Sequence, residues 1–566
     1  MITRLLILAL TLAATTAAGA GESSPRPPRV LFSNDATNIV NVPPPGVQPA
    51  TVPERLEASV AEAAGADVHV LQPGNGWVPW WRSAQYPAEA HYRWFTEVAA
   101  REPDRIGRYM RDGGDLVAAF IASCRARGVA AYVSLRLNDY HGSESWDALK
   151  AFSRGEHRDE TVPLALGAMA AQSRVLLERP ELQLQPDPAD YVALPWAERL
   201  AYAGDPPTRF KLRTARIWNW AEPEVPAYKL AFVRELCAGY DLDGLELDFM
   251  RWASYFHLEE TTGAQRRAIM LDFIRQARAA LDENAPAGRR RTLGVRVPGR
   301  VSGHDPLGID LRAWVEAGVD WVNLSCHYLS TQQTDLAAIH RLIPDTPLYL
   351  ELTFANAGTA GRRRATLDRA AEARGYGLMT AGHFFTAAHL AYARGAAGVS
   401  LFNFVYYRNL GAEPHVPPFE VLERLKDPAW LARQPQHYFL SDSSIPASAP
   451  SDFSQQRRLQ PARPAEFVLD LAPPEGGWRK EGRLRLEATR AWDEGELRVS
   501  FNGTELNATP DVSEPYASSY APKPRPERLR AWLVPRELLR PGENRIEVTL
   551  LSGAGADLRF LDLAMP

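Results

Sequence analysis

The chain has 566 residues, 45% hydrophobic and 23% charged, with a formal net charge of −4. This is ordinary globular composition, long enough for a large core and more than one domain. The near-balanced charge offers nothing to nucleic acid, and the arginine triplets at 289–291 and 362–364 read as solvated loop or helix ends. Cys124, Cys237 and Cys326 lie far apart in apolar segments and read as buried thiols.

Along the chain, Arg4 precedes an apolar run over 5–14 and the cleavage pattern Ala18-Gly19-Ala20. Residues 1–20 therefore read as an export signal, and the protein is expected to be secreted or periplasmic. No later segment is long and apolar enough to span a bilayer. Eight strands are expected at 30–35, 67–72, 129–137, 243–249, 292–298, 320–327, 347–353 and 398–404. Amphipathic helices are expected between them at 52–64, 114–127, 223–239, 265–282, 311–317, 332–342 and 381–394. This alternation implies right-handed βαβ crossovers and a parallel sheet, and eight units predict a (β/α)8 TIM barrel over 21–435. A doubly wound open sheet is the alternative, disfavoured because no Gly-rich nucleotide fingerprint follows the first strand.

Two insertions, 74–112 and 139–223, follow strands and should sit at the C-terminal face, where barrel enzymes build their sites. They carry Trp77, Trp80, Trp81, Trp218 and Trp220, aromatic faces suited to stacking on sugars, though ordinary loop packing uses tryptophan equally. Residues 436–465 read as a linker around a Pro/Ser/Ala-rich stretch, with a strand conceivable near 437–440. Short strands punctuated by Asn502-Gly503 and Pro541-Gly542 then predict an all-β sandwich over 466–566.

The fourth strand carries the most chemical information. In Asp243-Gly244-Leu245-Glu246-Leu247-Asp248-Phe249, the period of two puts the apolar side chains on one face and Glu246 and Asp248 on the other. Two carboxylates on one face are too costly for a plain core and belong to a cavity with water, substrate or partner charges. The same alternation turns Ser134, Arg136 and Asn138, Arg296, Asn323, Ser325 and His327, and Tyr349, Glu351 and Thr353 inward on strands three, five, six and seven. Asn403 lies near the end of strand eight, and Asp139 follows Asn138 in a polar run ending at His141. Asp248 and Glu351, on strands four and seven, form a carboxylate pair expected to face across the mouth, the arrangement glycoside hydrolysis needs. A buried structural ion network is the competing reading, strongest for the deeper Glu246. Asp241 and Asp243 precede the strand and read as stability residues of the opposite face.

The run Trp218-Asn219-Trp220-Ala221-Glu222-Pro223-Glu224-Val225, followed by Tyr240-Asp241-Leu242-Asp243-Gly244-Leu245-Glu246-Leu247-Asp248-Phe249-Met250-Arg251, resembles the glycosyl-hydrolase-like family 10 barrels. The resemblance covers this segment well and the remaining barrel loosely. It implies a secreted sugar-cleaving barrel with Asp248 at the site. It departs from related clans: no Asn-Glu-Pro acid signature is present, and Met250 stands where a chitinase would carry glutamate.

The expectation is therefore an exported glycoside hydrolase acting on a polysaccharide or oligosaccharide. Asp248 is nucleophile or base and Glu351 the acid, with roles exchangeable and Glu246 able to replace either. Arg136, Asn138, Asp139, Arg296, Asn323, His327, Tyr349, Asn403, Trp80 and Trp220 would bind substrate, and no metal or cofactor is called for. The alternative is a non-catalytic glycan-binding protein on the same scaffold.

Overall fold

A computed structural model describes residues 27–35, 51–75, 78–139, 141–162, 166, 173–325, 334–354, 378–409, 416–441, 457–492, 495–515 and 526–566. Residues 1–20, His327, Trp77, Cys326 and the arginine triplet at 362–364 lie outside them.

Eight parallel strands close into a barrel: β1 (Val30–Asp35), β2 (Val68–Gln72), β3 (Ala130–Arg136), β4 (Gly244–Asp248), β5 (Thr292–Pro298), β6 (Trp321–Ser325), β7 (Leu348–Thr353) and β8 (Gly398–Phe402). β1 pairs with both β2 and β8, so no edge remains and the open-sheet alternative falls. The outward faces of the strands are mainly apolar and pack under the helices, as with Val133, Leu245, Leu247, Val295, Val322 and Leu350, with Asn34 on β1 and His69 on β2 as buried polar exceptions. Helix starts are written in the sequence. Thr51 with Glu54, Thr262 with Gln265 and Thr380 with His383 form reciprocal caps at the heads of Val52–Glu62, Gly263–Glu283 and Ala381–Ala393. Each such cap stabilises its helix by about 1 kcal/mol.

The barrel interior is layered. Its floor, at the N-terminal end, is an apolar plug of Leu31, Val68, Val70, Tyr132, Trp321 and Tyr349. Gly294 is what admits Trp321: a Cβ there would lie 2.1 Å from the indole ring. Gly294→Ala is therefore expected to destabilise the barrel by about 3 kcal/mol or more, the upper end of overpacking costs, read as a fall in the urea midpoint. Below the floor, Asp243 accepts from the Ala131 amide at 2.9 Å and pairs with Arg125 at 2.9 Å. It therefore ties strand starts together.

The C-terminal part holds two antiparallel sheets around one apolar core. Its strands are β9 (Gln436–Ser441), β10 (Ala465–Leu471), β11 (Gly482–Ala488), β12 (Leu497–Phe501), β13 (Leu529–Val534), β14 (Gly542–Leu550) and β15 (Ala556–Met565). One sheet runs β9-β15-β11-β13 and is extended by two two-residue strands, Arg458–Leu459 beside β15 and Ala508–Thr509 beside β13; the other runs β10-β14-β12 and is extended by one, Thr504–Glu505 beside β12. The linker expected over 436–465 is corrected at both ends. Residues 436–441 are the first strand, paired with the last, the two-residue strand Arg458–Leu459 also pairs with the last, and β10 starts at Ala465. β9 escapes a simple pattern because both its faces are covered. Tyr438 and Leu440 enter the sheet core, whereas Phe439 joins the barrel's core and stacks on Phe560 at 5.6 Å. Beside them His437 meets Asp562 at 2.8 Å and stacks on His383 of the barrel at 4.1 Å.

Candidate active site at the C-terminal end of the barrel

Registered pairing brings Arg136, Asp248 and Arg296 side by side on β3, β4 and β5. All three point inward, because the apolar residues between them are claimed by the outer core. Arg296 is the hub. Its Nη1 donates to both Asp248 oxygens at 2.9 and 3.0 Å. Its Nε and Nη2 donate to the two Glu351 oxygens at 2.5 and 2.7 Å, and Nη2 also reaches Ser325 Oγ at 3.1 Å. The Phe402 ring lies 4.4 Å from the guanidinium carbon. Burial disfavours the arginine's charge, yet Asp248 and Glu351 outweigh it and push its pKa above the ordinary value. The two carboxylates thus do not face each other across open space: one guanidinium bridges them.

Their remaining lone pairs are also engaged. Asp248 accepts from Gln72 Nε2 at 3.2 Å and from the Met250 amide at 2.8 Å. Glu351 accepts from Ser325 Oγ at 2.6 Å. Glu246, two residues down β4, meets only neutral donors, Ser134 Oγ at 2.6 Å and Asn323 Nδ2 at 3.2 Å. Burial, then the nearby Asp248 charge, pushes its carboxyl up to about 7. The folded protein therefore keeps a proton that the unfolded chain releases above pH 4.5, so the contribution of Glu246 to stability falls as pH rises from 4.5 to about 7 and is flat beyond. The slope is at most about 1.4 kcal/mol per pH unit. Glu246→Gln is expected to flatten it, measured as urea midpoints across that range.

A second ionic group lies beside the first. Arg136 Nη2 donates to Asp35 at 2.8 Å and Gln72 Oε1 at 2.6 Å, and Nη1 to Asp139 at 2.7 Å. Asp139 hydrogen-bonds His141 Nδ1, and His141 Nε2 accepts from Arg251. Burial opposes the Asp139 charge, but His141 and Arg136 hold its carboxyl well below the usual range. Burial and Arg251 lower the His141 pKa despite Asp139. Lys229, on Glu224–Gly239, is buried with its ammonium 3.2 Å from the Arg136 carbonyl, and burial pulls its pKa well down. A cavity of about 40 Å³ lies among Gln72, Ser134, Arg136, Asp139 and Lys229.

Other expected contacts lie elsewhere. Tyr349 is in the floor, donating to the Pro28 carbonyl at 3.0 Å, so the expected sugar contact does not fit its position. Trp80 and Trp220 are packed away: Trp80 donates to Tyr92 Oη at 3.1 Å, and Trp220 sits edge-on to Phe273 at 5.1 Å. Asn138 braces the insertion, accepting from the Trp218 amide at 3.3 Å, and Asn403 braces β1, accepting from the Asp35 amide at 3.3 Å. Asn403 adopts φ 52, a left-handed turn that asparagine tolerates at the end of β8. Gln72, Lys229, Arg251 and Phe402 belong to the site and were missed. For Gln72 and Phe402 the signal was available: both follow the inward alternation of their strands. Among the described residues no group of three or more His, Cys, Asp and Glu side chains is placed to hold a metal. No described helix is long and apolar enough to cross a membrane.

No family model and no curated protein matches the chain. Among solved structures it is similar to an α-L-fucosidase isoenzyme 2 from Paenibacillus thiaminolyticus, at 12% identity and a TM-score of 0.41, over 73% of this chain and 51% of that one. It thus spans about half that enzyme's length. It is also similar to an α-amylase from Geobacillus thermoleovorans, at 10% identity and a TM-score of 0.36, over 92% and 98% of the two chains. A class V chitinase from Pseudomonas fluorescens aligns at 11% identity and a TM-score of 0.35, over 70% and 99%.

Proposed function

We propose that this is an exported glycoside hydrolase cleaving a polysaccharide or oligosaccharide at the C-terminal end of the barrel. One observation carries the reading. A carboxyl poised to hold a proton, Glu246, stands two residues from a carboxylate held by arginine, Asp248, on one inward-facing strand. The two side chains leave the same face of β4 about 6.6 Å apart along the backbone, which lets one substrate group meet both carboxyls.

Asp248 would act at the sugar carbon, directly or by activating water, with Arg296, Gln72 and the Met250 amide fixing its orientation. Glu246 would give its proton to the leaving oxygen. Both Glu351 oxygens already accept from Arg296 and Ser325, so Glu351 suits the task of positioning Arg296 better than that of acid. Arg136 and Asp139 would define the sugar-binding wall beside β3.

The second reading, a glycan-binding barrel without catalysis, is favoured by a different observation. Every oxygen of Glu246, Asp248 and Glu351 already has a donor within the protein, as expected of a structural network. Incubating the protein with a broad polysaccharide and oligosaccharide panel, with mass-spectrometric detection of released sugars, separates the two. Release supports hydrolysis, and binding to one glycan without release supports the second reading.

A further inference from the structure

Three buried histidines meet where the C-terminal sheets rest on the barrel. His383 and His389 lie on the helix Ala381–Ala393, and His437 lies on β9. Thr386 stands between the two helix histidines, and the spacing of three keeps these side chains on one side of the helix. That side meets the sheets. The His383 and His437 rings stack face to face at 4.1 Å. Thr386 Oγ1 accepts from the His437 amide at 2.7 Å, and His389 Nε2 donates to the Pro473 carbonyl at 3.0 Å. Just past the helix end, Arg394 Nε pairs with the Asp470 carboxylate of β10 at 2.8 Å. The helix is therefore the seat of the C-terminal sheets, and two of these four contacts are made by its imidazoles.

The helix imidazoles fit only when uncharged. His383 Nδ1 accepts from the Thr380 amide at 3.1 Å, as its half of the reciprocal helix cap. A proton on Nδ1 would turn to the Thr380 hydroxyl, also at 3.1 Å, and leave the Thr380 amide without its acceptor. The His383 Nε2 atom has no acceptor, so nothing pairs an imidazolium there. Across the stack, His437 Nε2 donates to Asp562 at 2.8 Å, and Asp562 also accepts from Arg485 Nε at 3.0 Å. Burial holds the His383 ring well below the ordinary histidine value, with His437 and Arg485 adding to the shift and Asp562 opposing it. Burial and Arg394 lower His389 despite the carbonyls of Pro473 and Ala472. The other charged groups on this face are Asp335 and Arg341 on the barrel side and Glu543 of β14, which line the cleft beside the stack. They are of mixed sign, and none hydrogen-bonds either helix histidine.

We propose that this histidine cluster is an acid-released latch: uncharged rings hold the C-terminal sheets on the barrel at neutral pH, and protonation of His383 and His389 lets them part. Both rings lie below 6.5 when the sheets are seated and return toward 6.5 when they part. Their contribution to seating is therefore complete above about pH 6.5 and is lost as pH falls below it. The latch does not depend on the barrel being a hydrolase.

Small-angle scattering of the full chain between about pH 7.5 and about pH 4.5, with far-UV circular dichroism alongside, tests it. A reversible rise in the radius of gyration below about pH 6.5 is expected, with the dichroism kept. His383→Gln combined with His389→Gln removes the titration. Glutamine is a standard third residue of such a cap, and at 389 its amide can donate to the Pro473 carbonyl. In this double variant the transition should move at least about one pH unit lower. If the double variant does not fold, His383→Gln alone should move it in the same direction. An unchanged radius in the wild type overturns the latch, as does expansion that appears only when the dichroism is lost. An unshifted midpoint in a folded variant equally overturns it.

Discussion

Replacing Arg296 with methionine is expected to destabilise the barrel by about 3–5 kcal/mol, the largest stability effect of any single substitution in the site. The guanidinium is 1% exposed and is the only cation contacting both Asp248 and Glu351 among the described residues. Methionine matches the stem but leaves two buried carboxylates facing each other. Breaking a buried ion pair by removing one partner costs about that much because the survivor is uncompensated. The same account makes a paired rescue. Arg296→Met combined with Asp248→Asn and Glu351→Gln should recover a good part of the loss, because neutral amides tolerate burial when hydrogen-bonded. Chemical denaturation of the single and triple variants measures it. A triple variant no more stable than Arg296→Met would mean that packing, not charge, is what Arg296 supplies.

The second large effect concerns the proton donor. Glu246→Gln is expected to lower kcat on any substrate the panel identifies by roughly a hundred- to ten-thousand-fold, the usual contribution of a general acid. Glutamine keeps one oxygen to accept from Ser134, and its amide nitrogen can donate to Asn323 once the Asn323 amide turns its oxygen toward it, so the loss would reflect the proton and not the fold. For the wild type, rates should fall as pH rises past about 7, where the Glu246 carboxyl gives up its proton. Glu351→Gln should differ in kind. It unbalances Arg296, so its effect should appear in Tm and in Asp248 orientation together, with the alkaline limb of the pH profile kept. If Glu351→Gln alone abolishes that limb, the acid is Glu351 and Glu246 is structural.

Much of the barrel was legible because its physics is local. Period-two alternation told inward from outward residues on strands three to seven, since the outer face of a strand must be apolar to carry a helix, whereas strands one and eight were ambiguous and strand two was not sorted. The C-terminal face insertions were legible for the same reason. What was not legible depended on long-range partners. Nothing local to Gly398–Phe402 says that Phe402 lies under Arg296, and nothing in the helix Glu224–Gly239 says that Lys229 turns inward behind β3. Tryptophan is ambiguous at short range, a sugar platform or a packing residue, and burial of Trp80 and Trp220 decided for packing. Arg291 is a similar case. Within an apparent solvated triplet it is 4% exposed, donating to the Cys237 carbonyl at 2.6 Å. Sequence placed Asp248, Glu351 and Arg296 in one interior. It did not reveal that one guanidinium joins the two acids, because alternation fixes a direction but not a distance.

The most direct test of the central claim is turnover by wild type and Asp248→Asn, side by side, on the glycan that the panel selects. Released sugar is expected from the wild type, and a loss of at least roughly a hundredfold in kcat/KM from Asp248→Asn assayed well below that variant's own Tm, which falls because Arg296 loses one of its two buried carboxylate partners. Undiminished release by a folded Asp248→Asn would contradict it and remove the β4 carboxylates from the chemistry.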